Sequence, residues 1–174
     1  MAILDIIQAP DPRLKAKAEP VAAVDDGLRR LLDDMLETMY MAPGIGLAAP
    51  QVGVPKRAVV IDLGAEPETR RPLFLVNPEV TWRSDELVAA EEGCLSLPEQ
   101  FAEVNRPAQV EVTYLDRDGG RHTLRTDGLL ARALQHEIDH LDGVLFVDHL
   151  SSLKRGIILR RLAKAKRNKS RASA

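Results

Sequence analysis

LLARALQHEIDHLDG, residues 129 to 143, is the stretch around which this chain of 174 residues is organised. Its apolar residues recur at helical spacing and the run ends at Gly143, so it predicts one amphipathic helix. Within that helix the HExxH pattern places His136 and His140 about 40° apart around the axis. Both imidazoles can therefore bind one metal ion, with Glu137 on the side where it can take a proton from a water.

The HExxH pattern does not identify a third ligand, which a catalytic metal site of this kind needs. The histidine downstream of His140 is His149, but the extended protease motif expects a third histidine six residues on, which is not this position. The better candidate is Cys94, the one cysteine of the chain, where the neighbouring Gly93 permits a close backbone approach. A single cysteine also favours a reducing compartment.

The residue pattern before this helix predicts one helix followed by short strands. Apolar residues from Leu28 to Met39 recur at helical spacing until Pro43 and Gly44 end the pattern. Residues 44–55, GIGLAAPQVGVP, are too rich in glycine and proline for a regular element. Strand-like runs follow at 57–63, 73–76, 87–90, 110–115 and 122–125.

The order of these elements predicts an α+β fold rather than a regular βαβ alternation. We expect short antiparallel β-sheets packed around a central HExxH helix, with an N-terminal helix and a C-terminal helix from Ser151 to about Lys166. Residues 1–167 are predicted to form a single catalytic domain. Residues 168–174 lack apolar anchors and are predicted to be a basic, disordered tail.

Charge is distributed unevenly along the chain. Residues 1–153 contain 15 Lys and Arg against 26 Asp and Glu, a balance of −11, whereas the last 21 residues carry +9. Such a basic tail predicts an anionic partner. The N-terminus MAILDIIQAPDPR lacks the basic region of a signal peptide, and no apolar run reaches the roughly 20 residues of a membrane span. We therefore expect a cytoplasmic protein without membrane contact.

Three blocks taken together resemble the peptide deformylase family, and the resemblance covers roughly residues 3–165. They are GIGLAAPQVG at 44–53, EGCLS at 92–96 and QHEIDHLDG at 135–143. The resemblance implies removal of the formyl group from formyl-methionyl nascent polypeptides, with release of formate. It also implies that Cys94, His136 and His140 hold one divalent metal ion. Ferrous iron is the native ion of the bacterial enzymes, and zinc, nickel or cobalt can replace it.

The resemblance also implies the roles of individual residues. A metal-activated water attacks the formyl carbon while Glu137 acts first as general base and then as general acid. The side-chain amide of Gln51 and the backbone N–H of Leu95 stabilise the oxyanion. The residues implied to bind substrate are the edge segment Gly44, Ile45 and Gly46, the close-approach glycine Gly93, and the methionine pocket formed by Ile45, Leu129 and Ala133.

Two positions depart from the pattern of some bacterial members. Phe101 stands where they carry an arginine that contacts the substrate backbone, which leaves peptide affinity open, and Asp142 stands where asparagine is frequent. Metal-bound histidines donate their second N–H to a carboxylate or carbonyl, and both Glu92 and Asp139 are available for this. The basic tail fits contact with ribosomal RNA near the peptide exit, whereas a solvated helix face is the alternative.

Two other functions compete with the deformylase interpretation. A general HExxH metalloprotease lacks support because the expected downstream ligand is absent. A noncatalytic ribosome-binding protein with a structural metal would have no need for Glu137.

Overall fold

Two antiparallel sheets and three α-helices form the fold in the computed structural model, which describes residues 2–172. The elements in chain order are α1 Asp26–Met41, β1 Gly46–Ala48, β2 Ala58–Ile61, β3 Leu73–Arg83, β4 Leu87–Cys94, β5 Leu97–Pro107, β6 Gln109–Leu115, β7 Arg121–Asp127, α2 Gly128–Leu141 and α3 Ser152–Ala172. One sheet has the order β1-β2-β3-β6-β7, and β4 pairs with β5 in the other. The predicted α+β class is confirmed.

The five-stranded sheet is covered on both faces, and strand β2 shows why. Successive side chains of a strand point to opposite faces. Val59 and Ile61 therefore pack with the buried residues of α2, whereas Ala58 and Val60 pack with those of α1. All four side chains are buried. Helix α2, which carries HExxH, is held by this packing on the inner side of the sheet.

The two-stranded sheet has a core of its own, which it shares with α3. Val104 of β5 lies with Phe146 of the connection after α2, and with Ile158 and Leu162 of α3, in one cluster of buried residues. A short turn joins β4 to β5, so that Cys94 pairs with Leu97. The thiol therefore sits at the end of the sheet that packs beside α2.

Helix α2 ends where the sequence predicts. Gly143 has a φ of +72°, a left-handed conformation that glycine adopts without strain. A Cβ atom at this position would lie 2.3 Å from the backbone oxygen of Lys15. The close approach of the N-terminal segment to the end of α2 therefore requires glycine here.

The structure contains two strands that the sequence pattern did not predict. Strand β5 contains two prolines and five polar residues among its eleven, a composition tolerated because β5 has one strand partner and an open edge. Strand β1 lies in the glycine- and proline-rich stretch that was expected to be irregular. Its three residues are buried against β2, so tertiary packing outweighs the weak local preference.

Helix α3 is longer than predicted. The sequence suggested an end near Lys166 and a disordered tail at 168–174, but the helix continues to Ala172. Lysine, arginine and alanine favour helix, and no glycine or proline follows Gly156 to end it. From Lys164 to Ala172 every residue is exposed. Residues 173 and 174 lie outside the described part of the chain.

The described helices give no sign of a membrane span. None of those within residues 2–172 combines the length and the apolar character needed to cross a bilayer.

Asp148 joins three parts of the fold near the end of α2. Its carboxylate accepts hydrogen bonds from the Leu145 amide (2.9 Å) and Arg155 Nε (2.8 Å), and it forms an ion pair with Lys15. Partial burial alone would raise the pKa of Asp148, but the hydrogen bonds from Lys15, Leu145 and Arg155 hold it below its usual value. The N-terminal segment and α3 are thus linked through one ionised group.

We predict that Asp148→Asn lowers the free energy of unfolding by about 1 kcal/mol at pH 7, because an ion-paired carboxylate is lost. A carboxyl with a lowered folded-state pKa stabilises above its unfolded pKa, about 3.9, and that stabilisation disappears as pH falls through the folded pKa. Urea unfolding at pH 7 and pH 3 should therefore show the difference from wild type shrinking in acid. The exposed Asp5→Asn is the control. An equal deficit at both pH values would contradict the assignment.

Candidate metal centre

Helix α2 and the end of β4 bring the three predicted ligands together. Cys94 Sγ lies 3.3 Å from His140 Nε2, and ligand atoms of Cys94, His136 and His140 all lie within 4.8 Å of one another. Metal–ligand bonds of about 2.0–2.3 Å allow one ion to join the thiolate and the imidazole of the closer pair. One sulfur and two nitrogen ligands suit a borderline transition metal ion.

The environment of His140 fits a ligand role. The side chain is 1% exposed, and burial holds its pKa well below the usual value. A neutral imidazole keeps a nitrogen lone pair available for a metal ion. Its Nδ1 atom is buried and has no hydrogen-bond partner among the described residues.

His136 is oriented by Glu92, which resolves a choice that the sequence left open. His136 Nδ1 donates to Glu92 Oε1 over 2.9 Å. This hydrogen bond turns Nε2 toward Cys94 and fixes the tautomer that a metal ion requires. Burial alone would lower the pKa of His136, but hydrogen bonds to Cys94 and Glu92 raise it well above its usual value. A metal ion at Nε2 would therefore displace a proton.

The Glu92 carboxylate is itself held by two arginines. Arg106 donates from Nε (2.6 Å) and from its second terminal nitrogen (2.9 Å), and Arg132 of α2 donates to Oε2 over 2.6 Å. Burial alone would raise the pKa of Glu92, but the hydrogen bonds from His136 and Arg106 hold it well below its usual range. The carboxylate therefore stays ionised inside the protein and ties β4, β5 and α2 together.

Asp139 does not orient a metal ligand. Its Oδ2 accepts hydrogen bonds from Arg106 (2.9 Å) and from His149 Nε2 (2.8 Å). His149 is thus engaged at the surface side of α2 and belongs to no metal cluster found within the described chain.

Glu137 is a buried carboxylate, one oxygen of which has no hydrogen-bond partner among the described residues. Its side chain is 5% exposed, and Oε2 is buried without a hydrogen-bond partner among residues 2–172. Burial raises the pKa of Glu137 to about 7, near the value suited to proton exchange at neutral pH. A Cβ atom on Gly46 would lie 2.6 Å from Glu137 Oε1, so glycine at that position admits the carboxylate.

Gln51 reaches the centre from the segment after β1. Its Oε1 accepts a hydrogen bond from the Ala48 amide (2.9 Å), and its Nε2 donates to Ser96 Oγ (3.0 Å) and to Cys94 Sγ (3.6 Å). The side chain is almost fully buried rather than solvated. Leu95, in the turn between β4 and β5, packs so closely that a Cβ atom on Gly44 would lie 2.8 Å from its Cδ1.

A cavity of about 650 Å³ opens beside these residues. Its lining includes every residue predicted to bind substrate, namely Gly44, Ile45, Gly46, Gly93, Leu129 and Ala133. It also includes Gln51, Cys94, Leu95, His136 and Glu137. Ile45 and Leu129 are exposed at its mouth, whereas Ala133 is buried. The cavity and the cluster of ligand atoms therefore form one site.

Sequence reasoning missed three residues that support the site. Arg106 lies on a strand that was not predicted and belongs to no motif, so no local signal identifies it. Arg132 lies one helical turn before His136, and that spacing could have identified it. Ser96 is the last residue of the EGCLS block, but its burial becomes apparent only when Gln51 is placed beside it.

Comparison with known proteins gives one consistent result. The profile of the polypeptide deformylase family matches residues 3–156. A peptide deformylase of Rhizorhabdus wittichii is 55% identical over 177 residues, which covers 99% of this chain and 100% of that relative.

Solved structures agree in fold. The crystal structure of peptide deformylase from Ehrlichia chaffeensis in complex with actinonin is 43% identical, with a TM-score of 0.91 over 96% of this chain and 99% of that one. A peptide deformylase from Legionella pneumophila is 46% identical, with a TM-score of 0.90 over 98% of this chain and 99% of that one.

We predict that Glu92→Gln weakens both the fold and the metal centre. Loss of the charge leaves Arg132 without a carboxylate partner and Arg106 with Asp139 alone. Removing one partner of a buried ion pair costs up to about 3–5 kcal/mol. Loss of the histidine's carboxylate partner should lower metal affinity by about 10- to 100-fold. Urea unfolding of metal-free protein and competition with a chromophoric chelator measure the two effects. The matched control is the exposed Glu103→Gln. Wild-type stability and affinity in Glu92→Gln would refute the role of this carboxylate.

Proposed function

The chain belongs to the polypeptide deformylase family, whose members are metal-dependent enzymes that remove the N-terminal formyl group from nascent polypeptides. We propose that Glu137 accepts and donates the protons that this hydrolysis requires. The observation that supports this role most directly is the buried, unpartnered Oε2 of Glu137 beside the cluster of ligand atoms. A buried carboxylate oxygen without a partner is otherwise unfavourable, so a catalytic use explains its position.

We propose that Cys94, His136 and His140 hold the metal ion. Their donor set fits a divalent transition metal, and the neutral ring of His140 and the oriented ring of His136 support the assignment. When bound, the ion would supply a nucleophile at neutral pH by lowering the pKa of a water molecule to about 7. Glu137 would accept a proton from this water as the formyl carbon is attacked, and would then deliver it to the departing amine.

Gln51 and the backbone N–H of Leu95 are the proposed oxyanion donors. The Gln51 amide already points at Cys94 Sγ, and its orientation is fixed by the Ala48 amide and Ser96 Oγ. A donor held in place before reaction loses little free energy to reorganisation when charge develops. Leu95 follows Cys94 directly in the turn and lines the same cavity.

The substrate peptide is proposed to lie along the edge segment Gly44 to Gly46. An extended chain can add to such an edge through backbone hydrogen bonds. The methionine side chain then enters the apolar part of the cavity lined by Ile45, Leu129 and Ala133, of which Ala133 lies one helical turn before Glu137. Gly93, which lines the same cavity, is also proposed to contact the substrate.

Ferrous iron is the proposed native ion, and the cytoplasm is the proposed compartment. Ligation by one thiolate and two imidazoles suits iron, and it also permits zinc, nickel or cobalt. A single cysteine without a disulfide partner agrees with a reducing compartment, where nascent chains emerge from ribosomes. Residues 1–167 are proposed to act as one catalytic domain, supported by the shared cores of both sheets.

We predict that Glu137→Gln abolishes formate release while metal remains bound, because the amide keeps the shape of the side chain but cannot accept a proton. General acid–base groups contribute about 10²- to 10⁴-fold to rate, so a loss in that range is expected. Formate released from formyl-Met-Ala-Ser is measured together with metal content, and acetyl-Met-Ala-Ser tests for attack on the wrong acyl group. Full activity, or loss of the metal, would contradict the role of Glu137.

We also propose that helix α3 contacts ribosomal RNA. Arg160, Arg161 and Lys164 are exposed along the helix, and beyond them the exposed segment remains basic to its end. Only Ile158 and Leu162 of this helix are buried in the core, so most of its surface is available. Lys and Arg side chains that neutralise phosphates release counterions, which makes binding strongly dependent on salt.

The charge-neutral variant Arg160→Gln/Arg161→Gln/Lys164→Gln should bind ribosomes about tenfold more weakly at low salt, with a shallower dependence on salt concentration. Co-sedimentation with purified ribosomes over a salt series measures both quantities. The matched control removes three exposed charges elsewhere, in Lys56→Gln/Arg83→Gln/Arg121→Gln. Equal losses in both variants would indicate a general charge effect, and no loss after deletion of residues 164–174 would eliminate the proposal.

A further inference from the structure

An exposed aromatic side chain stands at the mouth of the catalytic cavity. Phe101 of β5 is 62% exposed and lines the cavity together with Ile45 and Leu129, which are 43% and 56% exposed. Large apolar side chains that share one concave surface form a patch that favours an apolar ligand. Trp82, another exposed aromatic residue, is instead covered by Arg125, whose Cζ lies 3.8 Å from the ring centroid.

The position of the Phe101 ring is fixed by a glycine. Phe101 pairs with Gly93 across β4 and β5, and a Cβ atom on Gly93 would lie 2.5 Å from Phe101 Cε1. One face of the ring thus covers Gly93, a pairing that by itself stabilises the sheet. Because more than half of the side chain remains exposed at the cavity, the pairing leaves a second apolar surface available.

This surface lies close to the metal ligands. Gly93 precedes Cys94 directly, and one residue of a strand spans about 3.3 Å. A formyl-methionyl peptide whose formyl group is at the metal centre therefore brings its next residues near the Phe101 ring. Side chains alternate along an extended peptide, so that one of the first two residues after methionine faces the ring.

The charges around the cavity mouth favour some side chains over others. Glu91 and Glu99 line the same cavity and are exposed. The guanidinium of Arg132, also in the lining, is engaged by Glu92 and by the carbonyl oxygens of Val104 and Val88. An acidic substrate residue would thus meet two carboxylates, and the nearby arginine is already paired.

We propose that Phe101 is a specificity-determining residue that favours formyl-methionyl peptides with an apolar side chain at one of the two positions after methionine, and that acidic side chains there are disfavoured. The inference rests on the proposed deformylase function. It concerns which peptides are processed fastest rather than the chemistry of hydrolysis.

The test compares kcat/KM for formate release from formyl-Met-Leu-Ser, formyl-Met-Ala-Leu, formyl-Met-Asp-Ser and formyl-Met-Ala-Asp, with formyl-Met-Ala-Ser as reference. Wild type should prefer leucine over aspartate by about 10-fold at one of the two positions, mainly through KM. Phe101→Ala should reduce this preference to about 2- to 3-fold, whereas Phe101→Leu, which keeps an apolar surface, should retain most of it. Trp82→Ala is the matched control for an exposed aromatic outside the cavity and should leave the preference unchanged.

The possible results distinguish the role of Phe101 from the proposed deformylase function. Equal kcat/KM for the leucine and aspartate peptides in wild type, or a preference that Phe101→Ala leaves intact, would overturn the role of Phe101 while the deformylase function stands. Loss of activity toward every peptide in a folded Phe101→Ala would assign the ring to catalysis and would overturn the proposal too. Absence of formate release by metal-loaded wild type from every peptide would instead refute the proposed function on which the inference rests.

Discussion

The buried carboxylate of Glu92 is the group on which the site depends. It accepts hydrogen bonds from His136, Arg106 and Arg132, and so joins the two-stranded sheet to helix α2. Without that link, Cys94 and the two histidines would belong to separate layers of the fold. A buried ionised carboxylate is unfavourable unless its hydrogen bonds are satisfied, and the three donors satisfy those of Glu92. The hydrogen bond from His136 also holds its imidazole in the orientation that a metal ion needs. Stability and ligand geometry therefore arise from the same contacts.

Close packing of glycines against functional groups is the second constraint. Gly46 admits the carboxylate of Glu137, and Gly44 admits the side chain of Leu95. These glycines were expected to let a peptide approach, and the structure adds that they also let β1 approach α2 and the turn after Cys94. The segment proposed to bind substrate and the carboxylate proposed to transfer protons are thus in close contact, so a change in one affects the packing of the other.

Patterns in the sequence predicted the residues of the candidate metal centre more completely than the strand, the arginine and the helix length around them. The spacing within HExxH carries chemical meaning, and the role of Gln51 was implied by the resemblance of its motif to a known family. The side chains of both motifs converge on Cys94. Arg106 could not be found in this way, because its role depends on the pairing of β4 with β5, and the two prolines and scattered polar residues of β5 obscure its strand pattern. The length of α3 was underestimated because a polar sequence was taken as evidence of disorder, although its residues favour helix.

One metal ion held by Cys94, His136 and His140 is proposed to give this chain its deformylase activity. The most direct measurement is a titration of metal-free protein with ferrous iron under anaerobic conditions, following formate release from formyl-Met-Ala-Ser. We predict that activity rises in proportion to added metal and stops rising at one ion per chain, and that Cys94→Ala does not reach this activity at the same metal content. Formate release that is independent of metal, or equal in Cys94→Ala, would contradict the claim.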